Sequence, residues 1–250
     1  MDTVKRFNNR AEFYVKFRPG YPEGLIGILE KEAGFNESMD VADIGSGTGI
    51  LAKMFAAYGN IVFGVEPNDE MRNMAEKQMK SFYNFVSVKG TAENTTLADS
   101  SVDLIVAAQA YHWFDSQKAK QEFKRILRND GLVVIIFNVR KNNTPFMKAY
   151  NKLQENLKTD FKKVRLENVK ENNITDFFDD LKIKKKQLDN SQELDFNGLK
   201  GRLLSCSYVP LEGSENKRVL AGLKEIFDKH NEKGKIKIEY KTKIYIGRFK

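Results

Sequence analysis

A chain of 250 residues with 41% hydrophobic content can build one sizeable core, with about 75% of its unfolded surface hidden on folding, and no run approaches the roughly 18 apolar residues of a membrane span. Its single cysteine, Cys206, excludes an internal disulfide and fits a reducing cytoplasm. The net charge of +8 comes mostly from lysines in the C-terminal half, where Lys182 to Lys186 and Lys235 to Lys243 alternate as on the wet face of a strand; with no arginine-rich cluster or zinc-finger spacing, a nucleic-acid surface is disfavoured.

Met1 to Arg10 is polar and charged, without an apolar signal core. Phe7 to Tyr21 holds Phe13, Tyr14, Phe17, Arg18 and Tyr21, too aromatic for a loose tail. Arg18-Pro19-Gly20-Tyr21-Pro22 reads as a turn, with Pro22 opening a helix whose stripe is Leu25, Ile26, Ile28 and Leu29 and whose end suits Gly34. Next come a strand over Met39 to Ile44, a helix over Gly49 to Tyr58, a strand over Ile61 to Val65 and a helix over Asp69 to Met79. Phe85 to Val88 and Val102 to Ala107 read as strands, Ser116 to Leu127 as a helix, Asn129-Asp130-Gly131 as a turn and Leu132 to Phe137 as a strand. Strands that are continuous apolar runs are covered on both faces, and their alternation with helices predicts a doubly wound, parallel α/β sheet.

After about Asn138 the rhythm changes. Helices are expected over Pro145 to Leu157, Thr175 to Leu181 with Thr175 as cap, Phe196 to Leu204 and Asn216 to Lys229, and strands over Leu181 to Leu188 and Lys235 to Phe249. With no internal repeat and no low-complexity linker, residues 1–250 read as a single domain with an elaborated second half.

The chemistry gathers at Val41-Ala42-Asp43-Ile44-Gly45-Ser46-Gly47-Thr48-Gly49, a buried strand breaking into a glycine turn at the carboxyl edge of the sheet, where open α/β folds bind ligands. Gly45 and Gly47 let an adenosyl group or a phosphate approach the main chain, and Gly49 lets the helix pack closely on the strand. Asp43 sets a carboxylate beneath the turn, which repels a pyrophosphate and suits a ligand bearing an ammonium and a sulfonium. Glu66, roughly 20 residues beyond the glycines, stands where an acid accepts both ribose hydroxyls. Gly90-Thr91-Ala92-Glu93 and Ala107-Ala108-Gln109-Ala110 end the third and fourth strands at the same edge.

These segments, with Asp99 to Ile105, Gln109-Ala110-Tyr111-His112-Trp113-Phe114 and the N-terminal Tyr14 to Pro22, resemble the class I S-adenosylmethionine-dependent methyltransferases, in the small-molecule group that includes trans-aconitate and quinone-biosynthesis methyltransferases. The resemblance covers the chain to about residue 138. It implies a Rossmann-like sheet, mostly parallel with an antiparallel last strand, and S-adenosylmethionine as cofactor. It places Gly45, Ser46 and Gly47 along the methionine part with Asp43 near its ammonium, Glu66 on the ribose, Pro67 and Met71 beside the adenine, Ala92 and Glu93 at its polar edge, and Gln109 beside the sulfonium. Tyr14, Arg18 or Tyr21 would cap the site, Arg18 pairing with a carboxylate of cofactor or substrate. Within one domain, residues 1–34 become an N-terminal cap and first helix, 35–138 the cofactor-binding core, and 139–250 the substrate side with the closing hairpin.

His112, beside Trp113, is the candidate general base; its plainer role is a hydrogen-bonded wall residue. Cys206 has no base nearby in sequence and reads as a packed thiol. Phe146, Met147, Tyr150, Phe177 and Phe178 either line the acceptor pocket or belong to the core. No histidine or carboxylate cluster has metal-ligand spacing. A nicotinamide oxidoreductase expects Gly-x-Gly-x-x-Gly and Tyr-x-x-x-Lys, and this chain has neither; a base-modifying enzyme expects Asn/Asp-Pro-Pro-aromatic after the fourth strand, where Gln109-Ala110-Tyr111-His112 stands. The resemblance implies a small-molecule acceptor, with a nicotinamide-dependent oxidoreductase, an RNA or protein methyltransferase or a non-enzymatic cofactor-binding module as alternatives.

Overall fold

The computed structural model describes residues 5–157, 159, 171–178 and 183–249. At its centre is a seven-stranded sheet of order β3-β2-β1-β4-β5-β7-β6. Strands β1 (Val41–Ile44), β2 (Val62–Val65), β3 (Phe85–Val88), β4 (Val102–Ala108) and β5 (Leu127–Arg140) are parallel. The last strand in the chain, β7 (Ile236–Gly247), runs antiparallel between β5 and β6 (Lys184–Leu194). β1, apart from Asp43, and most of β4 are buried apolar runs because helices cover both faces. One layer centres on Phe123, Phe137, Phe177 and Tyr245, the opposite one on Leu25, Leu29, Phe55 and Leu104. A third cluster belongs to the second half, where α6 (Pro145–Glu155), α8 (Phe196–Leu204) and α9 (Gly213–His230) meet Ile236, Ile238 and Tyr240.

Several boundaries differ from expectation for local reasons. Helix α2 (Gly24–Ala33) begins after Pro22, whose carbonyl accepts the Leu25 N–H at 3.0 Å; Gly34 ends it at φ 70°. Helix α3 (Ala52–Tyr58) starts past Gly49, whose φ of +82° is incompatible with a right-handed helix. A Cβ on Gly49 would meet Ala75 and Met79, so its smallness serves the approach of α4 (Asp69–Gln78) more than packing on β1. Helix α5 (Ser116–Ile126) is directly followed by β5. Asn129-Asp130-Gly131 is not a separate turn but a bulge inside β5: Val102 pairs with Leu127 and Leu104 with Leu132, Asp130 absorbing the excess at φ 62°. Thr175 lies inside α7 (Glu171–Phe177) rather than capping a later helix. The expected Leu181 to Leu188 strand falls partly outside the described residues and continues to Leu194 in pairing with β7.

Candidate active site

At the end of β1, Gly45 and Ser46 both donate their backbone N–H to Val65 O, at 2.8 and 3.1 Å. The turn needs glycine: Gly45 and Gly47 have φ of 70° and 57°, and a Cβ on Gly45 would lie 2.6 Å from that of Ala110. Glu66, leaving β2, accepts Gly47 N–H at 2.9 Å on one carboxylate oxygen and Asn68 N–H at 2.8 Å on the other. Burial raises its pKa, and these two amides with the Arg72 charge oppose the rise. Asp43 is fully buried, receives the Ala52 N–H, and leaves Oδ2 without a partner. Its burial, with repulsion from Glu66, pushes it up to about 7. The Ser46 and Thr48 hydroxyls are likewise buried without partners. Unsatisfied buried oxygens beneath an N–H-lined glycine turn are what a cationic, hydroxyl-bearing ligand would satisfy.

Two adjoining cavities open at this edge, of about 200 and 140 Å³. The first is lined by Gly47, Glu66, Pro67, Met71, Ala92 and Glu93, the second by Asp43, Ser46, Arg18, Tyr21 and His112. Tyr14, Gly45 and Gln109 border both, as do Phe7, Ala108 and Trp113. Every expected site residue thus lies on one of the two cavities, though not all are available in the expected way. One Glu93 oxygen accepts Asp115 N–H at 2.8 Å and so holds the start of α5. The loop carrying Ala92 is fixed from below by Glu122, which accepts the Thr95 N–H and hydroxyl at 2.8 and 2.6 Å. Gln109 takes a left-handed φ of 59° at the end of β4 and donates to Asn138 O at 3.3 Å. Strain of that kind concentrates at functional edges.

The N-terminal segment is anchored. Arg10, on the approach to α1 (Ala11–Phe17), donates to Leu204, Cys206 and Val209 carbonyls at 2.6, 2.8 and 2.6 Å. Arg18 donates Nε to Ser205 Oγ at 2.9 Å and Nη2 to Ser205 O at 3.0 Å, and lies 4.7 Å over the Tyr14 ring. The turn after it is held at Gly20 O, which accepts Asn138 Nδ2 at 3.1 Å and Asn190 Nδ2 at 2.9 Å. Phe7 packs edge-on against Tyr14 and Trp113, so three aromatic rings wall the junction of the cavities.

His112 is half-buried with its Nδ1 buried and unpartnered, and desolvation, aided by the Arg18 charge, lowers its pKa to about 4. It is neutral at physiological pH and a weak base. Phe146, Met147, Tyr150, Phe177 and Phe178 are core residues and do not reach either cavity. Cys206 is buried as expected, yet it also borders the second cavity. No sequence pattern points to Asn138, Arg140, Arg202, Tyr208 and Tyr240, which also line that cavity; they come together only through the β5–β7 pairing and the packing of α8. Among the described residues no group of His, Cys, Asp and Glu converges as a metal site would.

Residues 42–135 match a family model described as a methyltransferase domain. A Schizosaccharomyces pombe protein described as an uncharacterized methyltransferase is 30% identical over 152 residues, 60% of this chain and 59% of the relative. The chain thus spans under two thirds of that relative's length. A solved structure from Anaeromyxobacter dehalogenans, described as a candidate type II methyltransferase, covers 93% of this chain and 98% of its own at TM-score 0.65 and 19% identity. A SAM-dependent methyltransferase structure from Aquifex aeolicus covers 95% and 97% at TM-score 0.55 and 16% identity. The 42–135 match and the Schizosaccharomyces pombe relative liken this chain to methyltransferases, and the solved structures share its fold, a mostly parallel sheet with one antiparallel strand.

Proposed function

We propose that this chain catalyses methyl transfer from S-adenosylmethionine to a small-molecule acceptor. The observation that carries the reading is the shared wall of Gly45, Ala108 and Gln109 between a cavity bearing Glu66 and a second cavity to which both halves of the chain contribute. When bound, the cofactor supplies an electrophilic methyl group on a sulfonium. The chain's own residues do the rest. Glu66, held by two amides, keeps acceptor capacity for ribose hydroxyls. Pro67, Met71 and Ala92 with Glu93 would flank the adenine. Asp43 Oδ2 and the Ser46 hydroxyl would take the methionyl ammonium, and Arg18, whose Nη1 is outside its bonds to Ser205, would face the methionyl carboxylate beside Tyr21. Gln109 and Tyr14 close the junction.

On the acceptor side, residues 1–34 cap the site and 139–250 build the opposing wall, with 35–138 holding the donor. Orientation and exclusion of water supply most of the acceleration in such a displacement. His112, neutral and half-buried, serves as a hydrogen-bond acceptor for the incoming molecule rather than as a strong base. Among the described residues no helix is long and apolar enough to cross a membrane. The lone Cys206 supports a reducing, cytoplasmic setting.

S-Adenosylhomocysteine should raise the melting temperature by mass action, by about 2.7 kcal/mol of stability at 100 times its Kd, while NAD(H) leaves it unchanged; the reverse pattern would overturn the donor assignment. Label from the methyl donor should enter a small-metabolite extract and not RNA. Label in RNA alone would refute the small-molecule acceptor.

A further inference from the structure

We propose that the acceptor is a small organic acid whose anionic group is held between Arg140 and Arg202. The proposal rests on the methyltransferase reading above and names the substrate class of its second cavity. Arg140 ends β5 and Arg202 lies in α8, and both line that cavity with Tyr208 and Tyr240. Arg202 is 6% exposed; Nη1 donates to Cys206 Sγ at 3.3 Å, Tyr240 forms a further hydrogen bond, and Nε has no partner. The Arg140 guanidinium lies 5.7 Å over the Tyr150 ring. The charged and titratable groups facing these two side chains are Tyr150, Tyr208, Tyr240, Cys206 and each other. Among the described residues neither guanidinium forms an ion pair with a carboxylate.

Several arginines elsewhere have a carboxylate partner, while Arg18 on the same cavity bonds Ser205. Arg72 pairs with Asp69, Arg125 with Glu122 and Asp99, and Arg128 with Asp40 and Asp103. Arg10 is satisfied by main-chain carbonyls. A guanidinium stays charged at any working pH, and burying one without a counter-charge is unfavourable. Two on one wall also repel each other. The carboxylate bordering the cavity is Asp43, at the glycine turn, whose contacts are Ala52 and Glu66. Even as a thiolate, Cys206 would set one negative charge against Arg18, Arg140 and Arg202. The planar forks match carboxylate or phosphate oxygens. Phenol rings around them shield the pair from water, and Gln109 and His112, on the same cavity, border the path to the donor side.

The test is calorimetry and thermal shift on the S-adenosylhomocysteine-saturated protein with succinate, inorganic phosphate and neutral succinamide, against sodium chloride at matched ionic strength. Saturable stabilisation by succinate or phosphate, and none by succinamide, is expected; which of the two acts says whether the acid is a carboxylate or a phosphate. Arg140→Gln and Arg202→Gln should each weaken that binding by at least about tenfold, the loss of one charge-assisted contact, while Arg140→Lys retains part of it and S-adenosylhomocysteine affinity stays within about threefold. Arg140 is only half-buried, so its variants report even where Arg202→Gln fails to fold. No saturable effect beyond sodium chloride, or an equal effect in Arg140→Gln, overturns the proposal. Failure of S-adenosylhomocysteine itself to bind would instead refute the donor reading.

Discussion

The carboxyl of Asp43 is raised by burial to about 7, with Glu66 adding to the rise. Because the folded pKa lies above the unfolded one, this group's contribution to stability is fully present below about pH 4 and is lost as pH rises through 7. A bound ammonium favours the ionised form and reverses the preference. Binding of S-adenosylhomocysteine at pH 6 should therefore release a proton, seen as an enthalpy that depends on the buffer's ionisation heat, and the release should fade by pH 8. Asp43→Asn should abolish the release, weaken binding by about 10- to 100-fold, the range for a hydrogen bond to a charged group, and raise the stability of the free protein above pH 7. Glu66→Ala is expected to weaken binding over the same range. Since Glu66 also holds the Gly47 and Asn68 amides, that variant should in addition speed amide exchange in the turn while the fold persists. The sites of both acids were legible in the sequence, because the glycine spacing fixes where two consecutive parallel strands end. The unpartnered Asp43 Oδ2 and the raised pKa values of both acids were not, since those depend on helices α3 and α4 closing over them.

Among the elements, α1 and α8 decide whether the N-terminal segment is a lid or a wall. A Cβ on Gly201 of α8 would lie 2.1 Å from the Phe17 ring of α1. Alanine there gains roughly 1 kcal/mol of helix propensity, but overpacking costs about 1–3 kcal/mol and one helix must shift. Gly201→Ala should lower the denaturation midpoint despite the better helix former, and adding Phe17→Ala should cost less than it does alone, a coupling that a double-mutant cycle reads directly. Arg10→Ala leaves carbonyls of the 204–209 loop unpaired and should expose 11–17 to proteolysis; unchanged cleavage would argue against an anchored segment. The density of aromatic residues in this stretch marked it as ordered, yet its partner could not be read, because α8 lies almost 200 positions away in sequence. The same reasoning separates β1–β4 from β5. Short buried apolar runs announce themselves, whereas Asn129-Asp130-Gly131 has local turn chemistry that the ladder to Val102 turns into a bulge. The arginines of the second cavity stayed hidden for a related reason: a lone Arg140 or Arg202 carries no pattern until the antiparallel β7 brings Tyr240 alongside.

At the scale of the whole molecule, the sheet has two open edges, and each is protected in a different way. β3 is only four residues long, too short to template a second chain, although Val86 within it and Tyr83 before it are exposed. β6 is eleven residues long and carries lysines instead. Lys184 and Lys186 face α2, where both pair with Glu32, at 3.6 and 2.7 Å. Exposed pairs of this kind contribute under about 1 kcal/mol, so their value to folding is small. Their value against association is larger, because alternating positive charge along an edge makes pairing with an identical edge repulsive. Lys184→Val with Lys186→Val should therefore shift the unfolding midpoint little while producing concentration-dependent oligomers in light scattering, more strongly at low salt than the parent chain, whose residual self-repulsion is screened as salt rises. A monomeric double variant with a clearly lowered midpoint would reverse the assignment and make the lysine–glutamate contacts a source of stability instead. The distinction bears on the site as well, because β6 lies next to β7, and β7 supplies Tyr240 to the second cavity. Association along β6 would crowd the open side of that antiparallel pair, whose strands are joined through α8 and α9 and not by the expected hairpin turn, so the oligomeric variant should bind S-adenosylhomocysteine normally, its cavity lying four strands away across β1 and β2, and lose affinity only for ligands of the acceptor side.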